Sequence, residues 1–414
     1  MDVKDKLSKL SYAVVAAGIM GLSGCGSSSD DSSSNSTTVS GSVFASHVDG
    51  GQVTVYDDNG NAIAGPVSTS NGQFSVVIPN GHLGNSMSFV SQGGIFTDEA
   101  TGTAGVTAGE MAVYLAAGDY TSGDEIHATP GTTVIHRMIK QHGMTPTDAA
   151  TAFNDAFGYT PDSTVAPIDA TDSTAAGSAS NEQKLAGLRA AIFSQLTDTL
   201  GLTPAQQFAM LQALAQDLSD DTLDGVDGSG AVTIPGTAQQ LQAHVRSQFV
   251  GALEAFRAGR DATGLGMYDL GTLPSPTVKE SATYRFDYVP GMMPAMEGKT
   301  MFKVRVTDQA TGTIAQTGLS LSLMTKMYMA DKMHATPIDG CTESATPGTY
   351  DCKVFYLMPS SMMGNFMGLW ELSVTANGSE TVKFYPAVGM GMNGNGKKTL
   401  TAQATGTTVV DSLT

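Results

Sequence analysis

Met301-Phe302-Lys303-Val304-Arg305-Val306 sets Phe302, Val304 and Val306 against Met301, Lys303 and Arg305 at alternate positions. That is the period of a strand with one face in a core and the other in water. Tyr284, Phe286 and Tyr288 alternate with Arg285 and Asp287 in the same way, and Trp370, Leu372 and Val374 alternate with Glu371 and Ser373. Asn377-Gly378 then reads as a hairpin turn into Val382 and Phe384. About seven strands with short turns over residues 275–414 predict an immunoglobulin-like β-sandwich. Trp370, the only Trp of the chain, is expected as a plug between its sheets.

Before this segment the period changes. Over residues 123–270 it is helical: Leu185, Leu188, Ile192 and Leu196 form one stripe, Phe208, Leu211 and Leu218 a second, and Leu241, Val245, Phe249, Leu253 and Phe256 a third. Thr129-Pro130, Thr145-Pro146 and Thr203-Pro204 each put a capping hydroxyl before a proline at the first helical position, and Gln206 completes a capping box with Thr203. Thr237 and Gln240 read as the capping box of the third helix, and Asp155 to Ser180 as a long loop. One-sided stripes of this kind predict a helical bundle. Residues 39–122 are β again, with strands around Val53 and Val55 and around Phe74 to Ile78, and with Asn59-Gly60 and Asn71-Gly72 as turns. The expected architecture is therefore multidomain: a β-sandwich, an α-helical bundle, then an immunoglobulin-like β-sandwich.

The front of the chain reads as an address. Lys4, Lys6 and Lys9 precede an apolar stretch from Leu10 to Gly21, too short to span a bilayer. Leu22-Ser23-Gly24-Cys25 follows and resembles the bacterial lipobox, in which the cysteine is lipidated and becomes the first mature residue. Residues 1–24 are then a lipoprotein signal peptide, and residues 25–38 a Ser-rich tether without the means to form a core. Gly26 after the cysteine, by the same resemblance, implies a lipid anchor at the bacterial outer membrane. The 414 residues carry 21 Lys+Arg against 39 Asp+Glu, a net charge of −18, which argues against a nucleic-acid partner. Outside the cytoplasm disulfides persist, so Cys341 and Cys352, the two cysteines left besides Cys25, are expected to pair. Such a bridge is worth about 3 kcal/mol on the loop-entropy model; a redox or metal thiol pair is the alternative.

Enzymatic signatures are missing. The chain has no Gly-x-Ser-x-Gly, His-Glu-x-x-His or Cys-x-x-Cys. Gly391 to Lys398 imitates a phosphate loop, but Lys398 stands where a hydroxyl is needed. The acidic run around Asp217, Asp220, Asp224 and Asp227 reaches Ala231 where a calcium loop needs glutamate. His47, His82, His127, His136, His142 and His244 have no ligand spacing and read as surface or capping residues. No catalytic residues are expected, and the chain reads as a non-enzyme.

Methionine is the unusual feature: 14 of the 22 lie between Met292 and Met392. Met324, Met327, Met329, Met333 and His334 form one group, Met358, Met362, Met363 and Met367 a second, Met390 and Met392 a third, and Met292, Met293 and Met296 a fourth. Thioethers are soft donors that suit Cu(I), and unlike thiols they survive an oxidising compartment. Methionine also fills cores, and Met327 and Met329 continue the strand period of Leu321 and Leu323. A flexible surface for another protein is a third reading. The predicted copper ligands are Met327, Met329, Met333, His334, Met362 and Met363.

Two resemblances add to this. Lys326 to Pro337, Gly348-Thr349-Tyr350, Met362-Met363-Gly364 and Gly368 to Val374 resemble the YtkA-like (FixH-type) periplasmic domain over roughly residues 280–390. That resemblance implies a sandwich concerned with copper handling and a copper-accepting protein as partner; the segment from Cys341 to Cys352 departs from the family pattern. Val39 to Val43, Gln52 to Asp57 and Gly72 to Val76 resemble the carboxypeptidase-regulatory-like module, which implies a non-catalytic spacer or binding platform. The functional expectation is a lipid-anchored copper-binding protein for buffering or delivery; the alternative is a surface module for a protein or glycan partner.

Overall fold

The computed structural model describes residues 35–391, 397–401 and 408–412. The signal peptide, Cys25, most of the tether and residues 392–396 of the glycine-rich turn lie outside the described residues. From Ser36 onward the described residues form one compact unit. The chain is β-rich with several sheets, as the alternation predicts.

Nine strands come first: β1 (Ser36–Val43), β2 (Gln52–Asp57), β3 (Ala62–Ser68), β4 (Gln73–Pro79), β5 (Met87–Gln92), β6 (Ile95–Phe96), β7 (Val106–Thr107), β8 (Met111–Leu115) and β9 (Ile126–Ala128). They make a sheet in the order β3-β2-β5-β8, another in the order β4-β1-β9, and the small pair β6-β7. Asn71 and Gly72 both have positive φ (48° and 75°), the backbone of a tight primed turn. Asn59-Gly60 differs, because only Gly60 is left-handed. There the Asp57 carboxylate accepts from the backbone N–H groups of Asn59 and Asn61 and shapes a wider turn.

Six α-helices follow: α1 (Pro130–His142), α2 (Pro146–Phe157), α3 (Ser173–Ser178), α4 (Asn181–Thr199), α5 (Gln207–Asp217) and α6 (Val245–Gly259). The sequence caps are realised. Thr129 accepts from Thr132 N–H, Thr145 from Asp148 N–H, and Thr203 N–H donates to Gln206 Oε1 at 2.8 Å. Thr237 and Gln240 are an exception. Gln240 bridges to Thr233 in an irregular segment, and the helix starts only at Val245. The Asp155–Ser180 loop is interrupted by α3 and sends Ala170 into the core.

The first strands and the helices share one hydrophobic core, from Val39, Val55 and Phe89 through Val134, Phe153 and Phe193 to Phe249 and Phe256. The expected boundary at 122/123 therefore does not divide the core. β9 belongs to the second segment by sequence, yet it pairs in parallel with β1, Gly41 opposite Ile126. A Cβ on Gly41 would stand 1.8 Å from the Ile126 carbonyl oxygen, so only glycine permits this approach. Ser42 Oγ meets His127 Nδ1 at 2.8 Å across the same pair, and Glu125 stands 3.7 Å from Nε2. Ser42 and His127 are 2% and 1% exposed, so this Ser-His-Glu arrangement ties two strands together and offers no nucleophile to solvent. His127 and His136 are buried and not surface residues.

In the acidic run Asp220 and Asp221 are exposed, Asp224 and Asp227 partly so, and one residue turns inward. Asp217 is fully buried, and its two carboxylate oxygens accept from Asp224 N–H and Gly225 N–H at 3.1 and 2.8 Å. Burial outweighs these bonds and pushes the carboxyl up from 3.8 to about 7. Between about pH 4 and 7 the folded chain therefore holds a proton that the unfolded chain has released. Stability must fall as pH rises through that window. We expect Asp217→Asn to lower stability but flatten this decline, as read from urea unfolding across the window. An unchanged slope would reject the assignment.

Eleven strands form the C-terminal sandwich: β10 (Val278–Glu280), β11 (Tyr284–Pro290), β12 (Gly298–Asp308), β13 (Leu321–Tyr328), β14 (Met333–His334), β15 (Ile338–Glu343), β16 (Thr349–Tyr356), β17 (Ser361–Met362), β18 (Asn365–Phe366), β19 (Leu369–Ala376) and β20 (Glu380–Phe384). A five-stranded sheet, β10-β11-β12-β16-β15, faces a four-stranded one, β14-β13-β19-β20, and β17-β18 is a separate hairpin. A further antiparallel pair, β21 (Lys397–Thr401) and β22 (Thr408–Ser412), follows. Phe302, Val304 and Val306 point into the core between the sheets with Trp370, Leu372 and Val374, as their period requires. On α6, Glu254 accepts from the Tyr385 hydroxyl at 2.8 Å and pairs with Lys279, which fastens the helical layer to this sandwich.

Cys341 and Cys352 are disulfide-bonded and directly opposite each other on β15 and β16. The bridge staples a hairpin that the ladder already aligns. Cys352 is 2% exposed and Cys341 partly exposed. Alkylation should add no label at these two positions before reduction and two after it, with Cys341 reacting first. Two labels without reduction would contradict the pairing.

Candidate functional site at the methionine end

Strand register decides where the methionines go. β11 and β12 pair from Tyr284↔Asp308 to Pro290↔Phe302, so residues 291–297 connect them at one end of the sandwich. Gly298↔Tyr356 puts the exit of β16 at that end. In the other sheet Tyr328↔Leu369 joins the exit of β13 to the entry of β19, and Leu372↔Phe384 brings the exit of β20 beside them. The two sheets' ends are tied together: Met296 bridges to Gly389, and Ser360 N–H donates to the Val388 carbonyl at 2.7 Å.

Groups that are separate in sequence therefore lie on connections at the same end of the two sheets. Met292, Met293 and Met296 lie on the β11–β12 connection, Met329, Met333 and His334 on the β13–β14 hairpin, Met358 after β16, Met362, Met363 and Met367 in and beside the β17–β18 hairpin, and Met390 after β20. The connections at the opposite end, residues 281–283, 309–320, 344–348 and 377–379, contain no methionine.

Six of these methionines stand clear of the core. Met292 is 103% exposed, Met363 92%, Met333 and Met390 55%, Met293 49% and Met362 39%, and His334 is exposed as well. Met363 and Gly364 form the tip of the β17–β18 hairpin with φ of 52° and 81°. The left-handed region suits glycine or asparagine far better than a bulky residue, so local backbone preference does not account for methionine at this tip. Met329 and Met367 are half-buried against the sandwich core.

Met327 is the exception among the predicted ligands. It is fully buried, faces Trp370 in register, and its side chain lies where a Cβ on Gly368 would stand 2.9 Å from its methyl group. It is a core residue, the outcome its strand period allowed. Of the six predicted ligands, Met329, Met333, His334, Met362 and Met363 leave the sandwich at the same end, on the β13–β14 and β17–β18 hairpins.

Sequence reasoning gave less weight to a second set. Met292, Met293, Met296 and Met301 line a cleft of about 490 Å³ with Phe302, Lys299 and Lys303. Lys303 pairs with Asp351 at 3.1 Å at its wall. Met301 sits on the solvent face of β12, and its period is the only sequence signal that could have put it there. Behind the β13–β14 hairpin, the Tyr328 hydroxyl donates to buried Glu371 at 3.2 Å, and Lys383 pairs with the same carboxylate. Burial and then Glu371 push the Tyr328 phenol up to about 12.

Among the described residues no group of three His, Cys, Asp or Glu could hold a metal ion. The donors gathered at this end are thioethers and one imidazole, a set suited to Cu(I) and poorly suited to Zn²⁺, Ca²⁺ or Mg²⁺. No helix among the described residues is long and apolar enough to cross a membrane. No protein-family model matches the chain, and no curated protein matches it.

Proposed function

We propose that the methionine end of the C-terminal sandwich binds Cu(I), and that the protein buffers copper or delivers it to a copper-accepting protein outside the cytoplasm. The observation that carries this reading is the one-ended gathering of solvent-exposed thioethers on connections that are far apart in sequence. The proposed ligands are Met329, Met333 and His334 from one hairpin with Met362 and Met363 from the other. The chemistry fits the compartment. The two cysteines of this sandwich are locked in a disulfide, so thioethers are the sulfur donors left. The proposal includes lipidation of Cys25 at the bacterial outer membrane, no catalytic activity, and the finer architecture: a carboxypeptidase-regulatory-like sandwich, a helical bundle and an immunoglobulin-like, YtkA-like sandwich.

The test is competition between the mature chain and a chromophoric Cu(I) chelator. About one Cu(I) per chain should be retained, and far less Zn²⁺. Binding should change little between about pH 5 and 7.5, because thioethers carry no proton and His334 supplies the single imidazole of the set. Retention no better than that of a methionine-poor protein would remove the copper reading.

The cleft of about 490 Å³ favours a second reading, because Met292, Met293, Met296 and Met301 give it an adaptable apolar lining. There the end would hold an apolar side chain of a protein partner, and replacing these four residues would abolish that association without touching Cu(I) retention.

A further inference from the structure

A second site lies in the helical layer, independent of the methionine end. A cavity of about 170 Å³ opens between the N-terminus of α1, the segment 159–165 and the first half of α4. Its walls are mostly apolar, with Pro161, Val165, Leu185 and Ala186 around Tyr159 and Arg189.

Arg189 is the unexplained group. Its guanidinium carbon stands 4.1 Å from the centroid of the Tyr159 ring. Burial pulls it below its ordinary value, and Tyr159 is the only other group that acts on it. Among the described residues it has no carboxylate within ion-pair distance and no hydrogen-bond acceptor. Three other arginines of the same layer do have acceptors: Arg137 donates to the Phe208 carbonyl and pairs with Glu110, Arg257 donates to the Leu265 carbonyl and pairs with Asp261, and Arg260 donates to the Glu99 carbonyl. Arg189 is half-buried, and its guanidinium, which stays charged in a protein, keeps a planar fork of donors free for an acceptor in the cavity. Tyr159 repeats the pattern. It is 8% exposed, and its hydroxyl has no partner among the described residues. Two donors without a protein acceptor among the described residues thus line one cavity.

We propose that this cavity binds a small monocarboxylate with an apolar body, its two oxygens accepting from Arg189 and from the Tyr159 hydroxyl. A planar carboxylate matches the guanidinium fork. The apolar walls take the rest of the molecule, and a dry cavity of roughly 150 Å³ is known to hold one benzene ring. Asp162 and Glu182 also line the cavity. Asp162 is held by Thr164, whose N–H and hydroxyl both donate to it. Glu182 lies in the first turn of α4, where helix ends favour negative charge. Neither neutralises Arg189, and together they set a negative rim that disfavours dianions such as sulfate or phosphate.

The test is calorimetric titration of the mature chain with benzoate, hexanoate, benzyl alcohol and sulfate. Benzoate and hexanoate should bind, and benzyl alcohol and sulfate should bind at least about tenfold more weakly. Arg189→Gln should weaken benzoate by at least about tenfold, and Arg189→Lys should recover only part, because a point charge replaces the fork. Tyr159→Phe keeps the ring under the guanidinium and should weaken benzoate several-fold, so the proposal stays testable if the arginine variants fail to fold. Thermal unfolding of each variant reports folding. No heat from either acid at millimolar concentration, sulfate binding as tightly as benzoate, or equal binding by wild type and a folded Arg189→Gln or Tyr159→Phe would overturn it.

Discussion

Replacing Met329, Met333, Met362 and Met363 together by leucine should abolish Cu(I) retention and leave the fold in place. Carbon cannot donate to copper, so uptake depends on the sulfur atoms alone. Met333, Met362 and Met363 are exposed and Met329 half-buried. Surface replacements of this kind change stability by about 0.5 kcal/mol or less each. Met327→Leu is the matched control. It is fully buried, so the swap conserves core volume, costs less than about 1.5 kcal/mol and should leave retention intact. His334→Ala should lower retention only partly, because it removes one imidazole and leaves the four thioethers in place. Chelator competition and urea unfolding on the same samples separate the outcomes. A quadruple variant that retains copper as well as wild type would leave the partner-binding reading standing.

The largest stability effect is expected at Trp370. Its indole packs edge-on against Tyr356 with ring centroids 4.9 Å apart, and its N–H donates to the Met358 carbonyl at 3.1 Å. Trp370→Ala should cost about 3–5 kcal/mol through lost transfer energy and the cavity left behind. Trp370→Phe keeps most of the packing and leaves the Met358 carbonyl unpaired, for about 1–3 kcal/mol. That carbonyl lies just before the β17–β18 hairpin, so the phenylalanine variant should loosen Met362 and Met363 more than its stability loss alone implies. Circular dichroism in urea measures the first effect, and hydrogen exchange over residues 357–368 the second. An alanine variant within about 1 kcal/mol of wild type would deny Trp370 its core role.

What the sequence made legible was local. Alternation put Phe302, Val304 and Val306 in the core, Thr129-Pro130 and Thr145-Pro146 capped their helices, and Asn377-Gly378 turned its hairpin, because each depends on neighbours a few residues away. Thr237 and Gln240 matched a capping pattern without a helix behind them, since the irregular bridge at Thr233 and Gln240 won locally. The shared core of strands and helices escaped, because β9 is only three residues long and its pairing with β1 spans some eighty positions. The methionine end escaped in part for the same reason. Each group was visible, but their placement at one end follows from the register of two sheets and the ties through Gly389 and Ser360.

The place of β1 has a mechanical consequence. It is the central strand of its sheet, antiparallel to β4 from Ser36 to Ser42 and parallel to β9 from Gly41 to Val43. A force drawn on the chain at Ser36 runs along this strand and not across it. The ladder bonds to both neighbours then bear the load together, in shear, and cannot be opened one after another as in peeling an edge strand. The first described strand is thus built to resist traction from its amino end, and the core it shares with the helices spreads that traction into the rest of the molecule.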